Sequence, residues 1–167
     1  MRPPAIFLAS LCALALAACG RFSAPAPAPS AVAAGKAFLA SNAAVPGVHV
    51  TKSGLQYRIL RSGPPEGLRP KPADEVKVNY EGKLLDGQVF DSSYARGTPA
   101  VMTVRDVVPG WTQALELMRP GDEWLLYVPP SLGYGDKGAG PIPPGAVLVF
   151  KLELIDVLPD ASSVGRA

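Results

Sequence analysis

Between residues 46 and 160 a single segment carries helical spacing, and that dictates what the rest of the chain has to do. In Trp111-Thr112-Gln113-Ala114-Leu115-Glu116-Leu117-Met118, the apolar residues Trp111, Leu115 and Met118 fall at i, i+4 and i+7, along one stripe of a helix. Pro109-Gly110 opens the segment and Pro120-Gly121 ends it. The surrounding segments alternate with period two. Leu55, Tyr57 and Ile59 alternate with Gln56, Arg58 and Leu60, and Val76, Val78 and Tyr80 alternate with Lys77, Asn79 and Glu81. Leu85-Asp86-Gly87-Gln88 is a turn signal ahead of Val89-Phe90. Further strands are expected at 101–104, 123–128 and 146–157, the last with Leu148, Phe150, Leu152 and Leu154 on one face. One short amphipathic helix among several strands has its stripe to bury, and a sheet can cover it by curling. The expected fold class is therefore α+β: a curled antiparallel β-sheet wrapped around a single short α-helix.

The chain of 167 residues, 48% apolar and 18% charged, suits one domain with extensions, and it shows neither an internal repeat nor a second domain. A net charge of +2 with scattered positives, and no basic cluster interleaved with aromatics, argues against nucleic acid as a partner. Cys12 and Cys19 are the only cysteines, so nothing after Cys19 can form an intrachain disulfide or a thiolate metal site. His49 is the only histidine, which excludes a histidine-based zinc site.

The N-terminus has the form of an export leader. Arg2 is followed by an apolar run from Ala5 to Ala15 and by small residues, a run too short to span a bilayer permanently. Leu16-Ala17-Ala18-Cys19 resembles a bacterial lipobox, in which Cys19 is lipidated and becomes the new N-terminus; the alternative is a plain leader. Loss of Arg2 with the leader leaves a nearly neutral body, so lipid rather than charge would hold it at a membrane. Ala24-Pro25-Ala26-Pro27-Ala28-Pro29-Ser30 cannot form a helix or a sheet ladder and reads as an extended tether. The Ala-rich residues 31–44 read either as a short helix or as more linker. The expected organisation is a leader at 1–18, a lipidated Cys19 with linker at 19–45, a folded domain at 46–160 and a tail at 161–167. Gly20 after Cys19 is not the Asp-type inner-membrane retention signal, which points to the outer membrane facing the periplasm; the alternative is a soluble periplasmic or secreted protein.

Five motifs then meet in order. Val78-Asn79-Tyr80-Glu81-Gly82, Gly87-Gln88-Val89-Phe90-Asp91-Ser92-Ser93, Val108-Pro109-Gly110-Trp111, Gly133-Tyr134-Gly135 and Ile142-Pro143-Pro144 resemble those of the FKBP-type peptidyl-prolyl cis–trans isomerases. The resemblance runs from about Leu55 to Val157, and is strongest to the bacterial lipoprotein and macrophage-infectivity-potentiator-like branch. It implies an apolar, aromatic-lined pocket above the helix. Tyr80, Phe90, Asp91 and Tyr134 are then the expected catalytic residues, and Trp111, Val107, Val108, Ile142, Phe150 and Arg96 the expected substrate-binding ones. Trp111 would be the floor, Phe90 and Phe150 walls, Val107 and Val108 the rim, and the Val108 backbone a hydrogen-bonding group for the peptide. The sequence departs from the family at Ala100 and Met102, where aromatic walls are common, and in a shorter loop before Asp106. Taken singly, Phe90, Trp111 and Phe150 would be read as core residues, Asp91 as a turn residue and Gly133-Tyr134-Gly135 as loop punctuation.

The chemistry that the resemblance implies needs no nucleophile, metal or cofactor. Rotation about an X–Pro bond costs ~18–20 kcal/mol because the twisting amide loses resonance. The twisted amide is less dipolar than the planar one, so a dry apolar pocket favours it differentially. The Tyr134 hydroxyl is suited to hold a substrate carbonyl, Asp91 to bond Tyr80 or face the twisted carbonyl carbon, and Arg96 to keep Asp91 ionised. The implied partners are proline-containing exported polypeptides and macrolide immunosuppressant-type inhibitors. The competing readings are a binding module whose catalysis is incidental and a general chaperone. With only the short stretch between Cys19 and Pro46 and no long insert, a monomer is expected.

Overall fold

The computed structural model describes residues 31–160. Seven antiparallel strands form one sheet: β1 (Val48–Val50), β2 (Gln56–Arg61), β3 (Glu75–Leu84), β4 (Val89–Ser92), β5 (Ala100–Thr103), β6 (Glu123–Val128) and β7 (Leu148–Leu158). Their spatial order is β1-β2-β6-β7-β3-β4, with β5 beside β4 on the same edge of β3. The two long strands carry the sheet. β3 pairs with β7 from Glu75–Leu158 to Leu84–Leu148, and on its other edge holds β5 through 75–78 and β4 through 81–83. The helices are α1 (Ala31–Asn42), the single turn α2 (Ser93–Arg96) and α3 (Pro109–Leu117).

The period-two pattern decides which face is buried. Val76, Val78, Tyr80, Leu84, Trp124, Leu126, Val128, Leu148, Phe150, Leu152 and Leu154 all point to the inner face, and each is less than a tenth exposed. The curled sheet closes on α3, whose Trp111, Ala114 and Leu115, with Met118 just beyond, complete the same cluster. The stripe predicted from the i, i+4, i+7 spacing is the buried one. α3 begins at Pro109, whose missing N–H falls where a helix has no internal acceptor to offer. Gly110 lets the helix approach β6: a Cβ there would lie 2.7 Å from Val128 Cγ1. Thr112 Oγ1 donates to the Val104 carbonyl at 2.8 Å, tying the helix to the turn that precedes it.

For the N-terminal part of the packed body the sequence left a short helix or more linker open, and the helix is what forms. Residues 31–42 form α1, and the folded unit extends back to Ala31 instead of starting at residue 46. The helix lies on the outer face of the sheet, opposite α3. Phe38 meets Tyr127 with ring centroids 5.7 Å apart, and Tyr127 points away from the inner-facing Leu126 and Val128. Asn42 Nδ2 donates to Gln56 Oε1 at 2.8 Å, while Gln56 Nε2 donates to the Leu39 carbonyl at 2.8 Å. Both amides are buried, so the clasp satisfies polar groups that the packing has removed from water. Gly35 presses on Val147, where a Cβ would come within 2.9 Å of Cγ2. Cys19, the leader, the whole Ala24–Ser30 segment and the expected tail at 161–167 lie outside the described residues. Among the described residues no helix is long and apolar enough to cross a membrane.

Candidate active site

A hollow of about 300 Å³ opens at the N-terminal end of α3. Trp111 forms its floor, as expected for a large ring in the first turn of a helix whose next apolar residues are buried beneath it. Tyr80 from β3 and Phe150 from β7 stand around it. Tyr80 and Trp111 meet edge-to-face with centroids 5.0 Å apart, and Trp111 and Phe150 do so at 5.2 Å. Val107 and Val108, ahead of α3, line the rim, and Tyr134 rises from the loop after β6 with 40% of its surface exposed. Asp91, Met102 and Asp106 complete the lining.

Three residues expected at the site stand behind this lining. Phe90 packs edge-to-face on Phe150, centroids 5.5 Å apart, and holds that wall from the side. Both rings lie over Gly82, where a Cβ would come 2.7 Å from each. A glycine in mid-strand marks a close approach of this kind, and that signal identifies Gly82 as a residue the site depends on. Arg96 sits behind Asp91. Ile142 is buried in the loop after Tyr134, paired through its backbone with Ala139.

The polar corner of the hollow is built by β4 and α2. Ser92 caps α2, its hydroxyl accepting from Ala95 N at 3.3 Å, and Gly97 ends the turn at φ 69°. The single helical turn carries Arg96 back over Asp91. Arg96 Nη1 donates to Asp91 Oδ1, Arg96 Nη2 donates to the Tyr80 hydroxyl at 2.8 Å, and that hydroxyl donates to Asp91 Oδ2. The guanidinium carbon also lies 5.5 Å from the Tyr80 ring centroid. Ser93, fully buried, accepts from Tyr80 N at 2.9 Å and fixes α2 to β3.

Electrostatics follow from this triangle. Burial pushes the Asp91 carboxyl up, but the hydrogen bonds from Tyr80 and Arg96 and the guanidinium charge prevail and hold it below the ordinary carboxylate value. Burial pushes the Tyr80 phenol up, and its bond to Asp91 adds to that, more than Arg96 takes away. The hydrogen bond to Tyr80, then that to Asp91, holds the Arg96 proton more firmly than usual. At neutral pH the corner is an ionised carboxylate, a protonated phenol and a guanidinium, already satisfied by one another.

Met102 and Asp106 belong to the lining although neither was among the expected site residues. Met102 occupies a wall position where the family commonly has an aromatic ring, and that departure was its signal. Asp106 ends a short helical turn beside the expected Val107.

The fold and the site together define a curled antiparallel sheet closed on one helix, with an aromatic-lined hollow at that helix's N-terminal end. The sequence matches the family described as FKBP-type peptidyl-prolyl cis-trans isomerase over residues 67–155, and the domain amino-terminal to it over residues 23–59. The chain belongs to the FKBP-type peptidyl-prolyl cis–trans isomerase family. It is 50% identical over 123 residues to the peptidyl-prolyl cis-trans isomerase Mip of Coxiella burnetii, covering 73% of this chain and 53% of that protein. It is 48% identical over 126 residues to the outer membrane protein MIP of Legionella longbeachae, covering 75% and 53%. A crystal structure of a peptidyl-prolyl cis-trans isomerase from Pseudomonas syringae superposes with a TM-score of 0.72 at 37% identity, over 81% of this chain and 99% of that one. The chain spans about half the length of these two curated relatives.

Proposed function

We propose that the protein is a peptidyl-prolyl cis–trans isomerase acting on proline-containing exported polypeptides, and that it assists their folding outside the cytoplasm. The observation that carries this reading is the convergence of Tyr80, Trp111 and Phe150, from three separate elements, on one apolar hollow beside a self-neutralised polar corner. The proline ring settles over Trp111, against Tyr80 and Phe150, and buries its apolar surface there at ~25 cal/mol per Å². Its amide then lies in surroundings poor in water, where the less dipolar twisted form is favoured over the planar one.

Two groups orient the peptide. The Val108 carbonyl already accepts from Trp111 N at 2.8 Å and from Thr112 N at 3.2 Å, which leaves the Val108 N–H as the backbone group for a substrate carbonyl. The Tyr134 hydroxyl, at the mouth, donates to a second carbonyl. Asp91 acts through Tyr80 and Arg96: with its charge satisfied inside the protein, it needs little water at the edge of the hollow. Phe90 acts by holding Phe150.

The anchoring belongs to the same reading. Lipidation of Cys19 fixes the chain to a membrane, with the outer membrane facing the periplasm as the site, and the Ala-Pro segment spaces the domain from it. The name of the Legionella relative agrees with a membrane-associated branch. The hollow also suits macrolide-type inhibitors, and the protein acts as a monomer.

A protease-coupled isomerisation assay on an Ala-Pro peptide tests the activity. The rate above buffer should scale with protein concentration and fall with a macrolide inhibitor; a rate no faster than buffer removes the proposal. Acyl labelling in a bacterial host tests the anchor: label should appear on the wild type and be absent from Cys19→Ala.

A further inference from the structure

Asp106 introduces a second carboxylate into the lining of a largely apolar hollow. Its side chain is 68% exposed, and the guanidinium of Arg105 approaches it only to 3.9 Å. Arg105 lines a different hollow, with Glu75, Thr103 and Leu158. The other carboxylate in the lining, Asp91, is neutralised by Arg96. Among the described residues no Lys, Arg or His lines the proline hollow. The most exposed charge at its mouth is therefore negative: Asp106, whose cationic neighbour Arg105 meets it at the outer limit of an ion pair.

We infer that Asp106 is a specificity-determining residue, selecting polypeptides that carry Lys or Arg next to the proline and disfavouring those with Asp or Glu there. The inference deepens the isomerase reading and rests on its placing of proline in this hollow. Val107 and Val108 follow Asp106 directly, so a peptide bonded to the Val108 N–H runs past the Asp106 carboxylate. A cationic side chain on that peptide is attracted and an anionic one repelled, in a partly solvated setting where each effect is modest. Salt weakens both, because the groups stay accessible to ions. The positive proline-flanked segments of a client chain would then be held longest.

The test compares peptides Ala-Xaa-Pro-Phe and Ala-Pro-Xaa-Phe, with Xaa Lys or Glu, for the wild type and for Asp106→Asn, Asp106→Glu and Asp106→Lys. Affinity is measured by calorimetry and exchange between isomers by NMR. The Lys-to-Glu ratio should be about threefold or more for the wild type in at least one series and shrink in ~1 M salt. It should persist in Asp106→Glu, approach one in Asp106→Asn and invert in Asp106→Lys. A wild-type ratio near one in both series, or a ratio untouched in Asp106→Asn, overturns the inference. Because affinity is read separately from exchange, a protein that prefers the Lys peptides without speeding their rotation would overturn the isomerase reading and leave this one standing.

Discussion

The Tyr80 hydroxyl donates to Asp91 while accepting from Arg96, so one phenol on β3 joins a carboxylate on β4 to a guanidinium on the turn that follows it. Together they make the polar corner rigid and place the Tyr80 ring against Trp111.

This triangle sets the pH behaviour. Asp91 titrates lower in the folded protein than its ordinary value, so whatever stability its pairing adds is present above the unfolded pKa, ~3.9, and is lost as pH falls through the lower folded one. From pH 5 to 8 Asp91 should therefore impose no slope on isomerase activity, which a pH series of the peptide assay will show. Asp91→Ala should lower kcat/KM by about tenfold across that whole range, through loss of a hydrogen-bonded charged group. A wild-type inflection between pH 5 and 7 traced to Asp91 would contradict the assignment.

Gly82→Ala should damage the site from beneath. The new methyl would meet Phe90 and Phe150 at 2.7 Å, and forcing two packed rings apart costs about 1–3 kcal/mol. Urea unfolding should show that loss, and activity should fall with it because Phe150 is displaced. Unchanged stability would mean that the rings move freely.

Tyr134→Phe keeps the ring and removes the donor. Because the side chain is 40% exposed, stability should change by less than ~0.5 kcal/mol. The effect should fall on kcat/KM, by about two- to tenfold, as expected for one hydrogen bond to substrate. Full activity would reassign Tyr134 to shape alone.

Asn42→Ala tests the outer clasp. It leaves the buried Gln56 carbonyl without its donor, which costs about 1–3 kcal/mol. The midpoint of denaturant unfolding should drop accordingly, with kcat/KM on a short peptide unchanged, since neither residue reaches the hollow.

What the sequence disclosed follows from how strongly each segment is patterned. α3 and β3 were legible because their buried residues repeat at one spacing and cover one face, Trp111 and Leu115 in the first, with Met118 just past its end, and Val76, Val78 and Tyr80 in the second. β2 was legible as a strand, yet Ile59 is 41% exposed: it lies toward the sheet margin, and alternation cannot say how far the helix reaches. α1 has no apolar stripe. It docks through an amide pair, one ring and a glycine, contacts between segments that no local period records. β1 is three residues long and exists only through its pairing with β2. The α2 turn did leave a local mark, a Ser cap and a Gly at the far end, and its function depends on Arg96 arriving over Asp91. The aromatic lining could be assembled only through the family motifs, because each ring taken alone looks like core. Asp106 lay beside an expected rim residue and carried no pattern of its own.

The Asn42–Gln56 clasp also determines how the molecule responds to being pulled. Load applied to the chain ahead of Ala31 travels down α1 and reaches the outer surface of β2, where it shears side-chain bonds across a helix–sheet seam. The cup over Trp111 lies on the opposite surface, off that line of force.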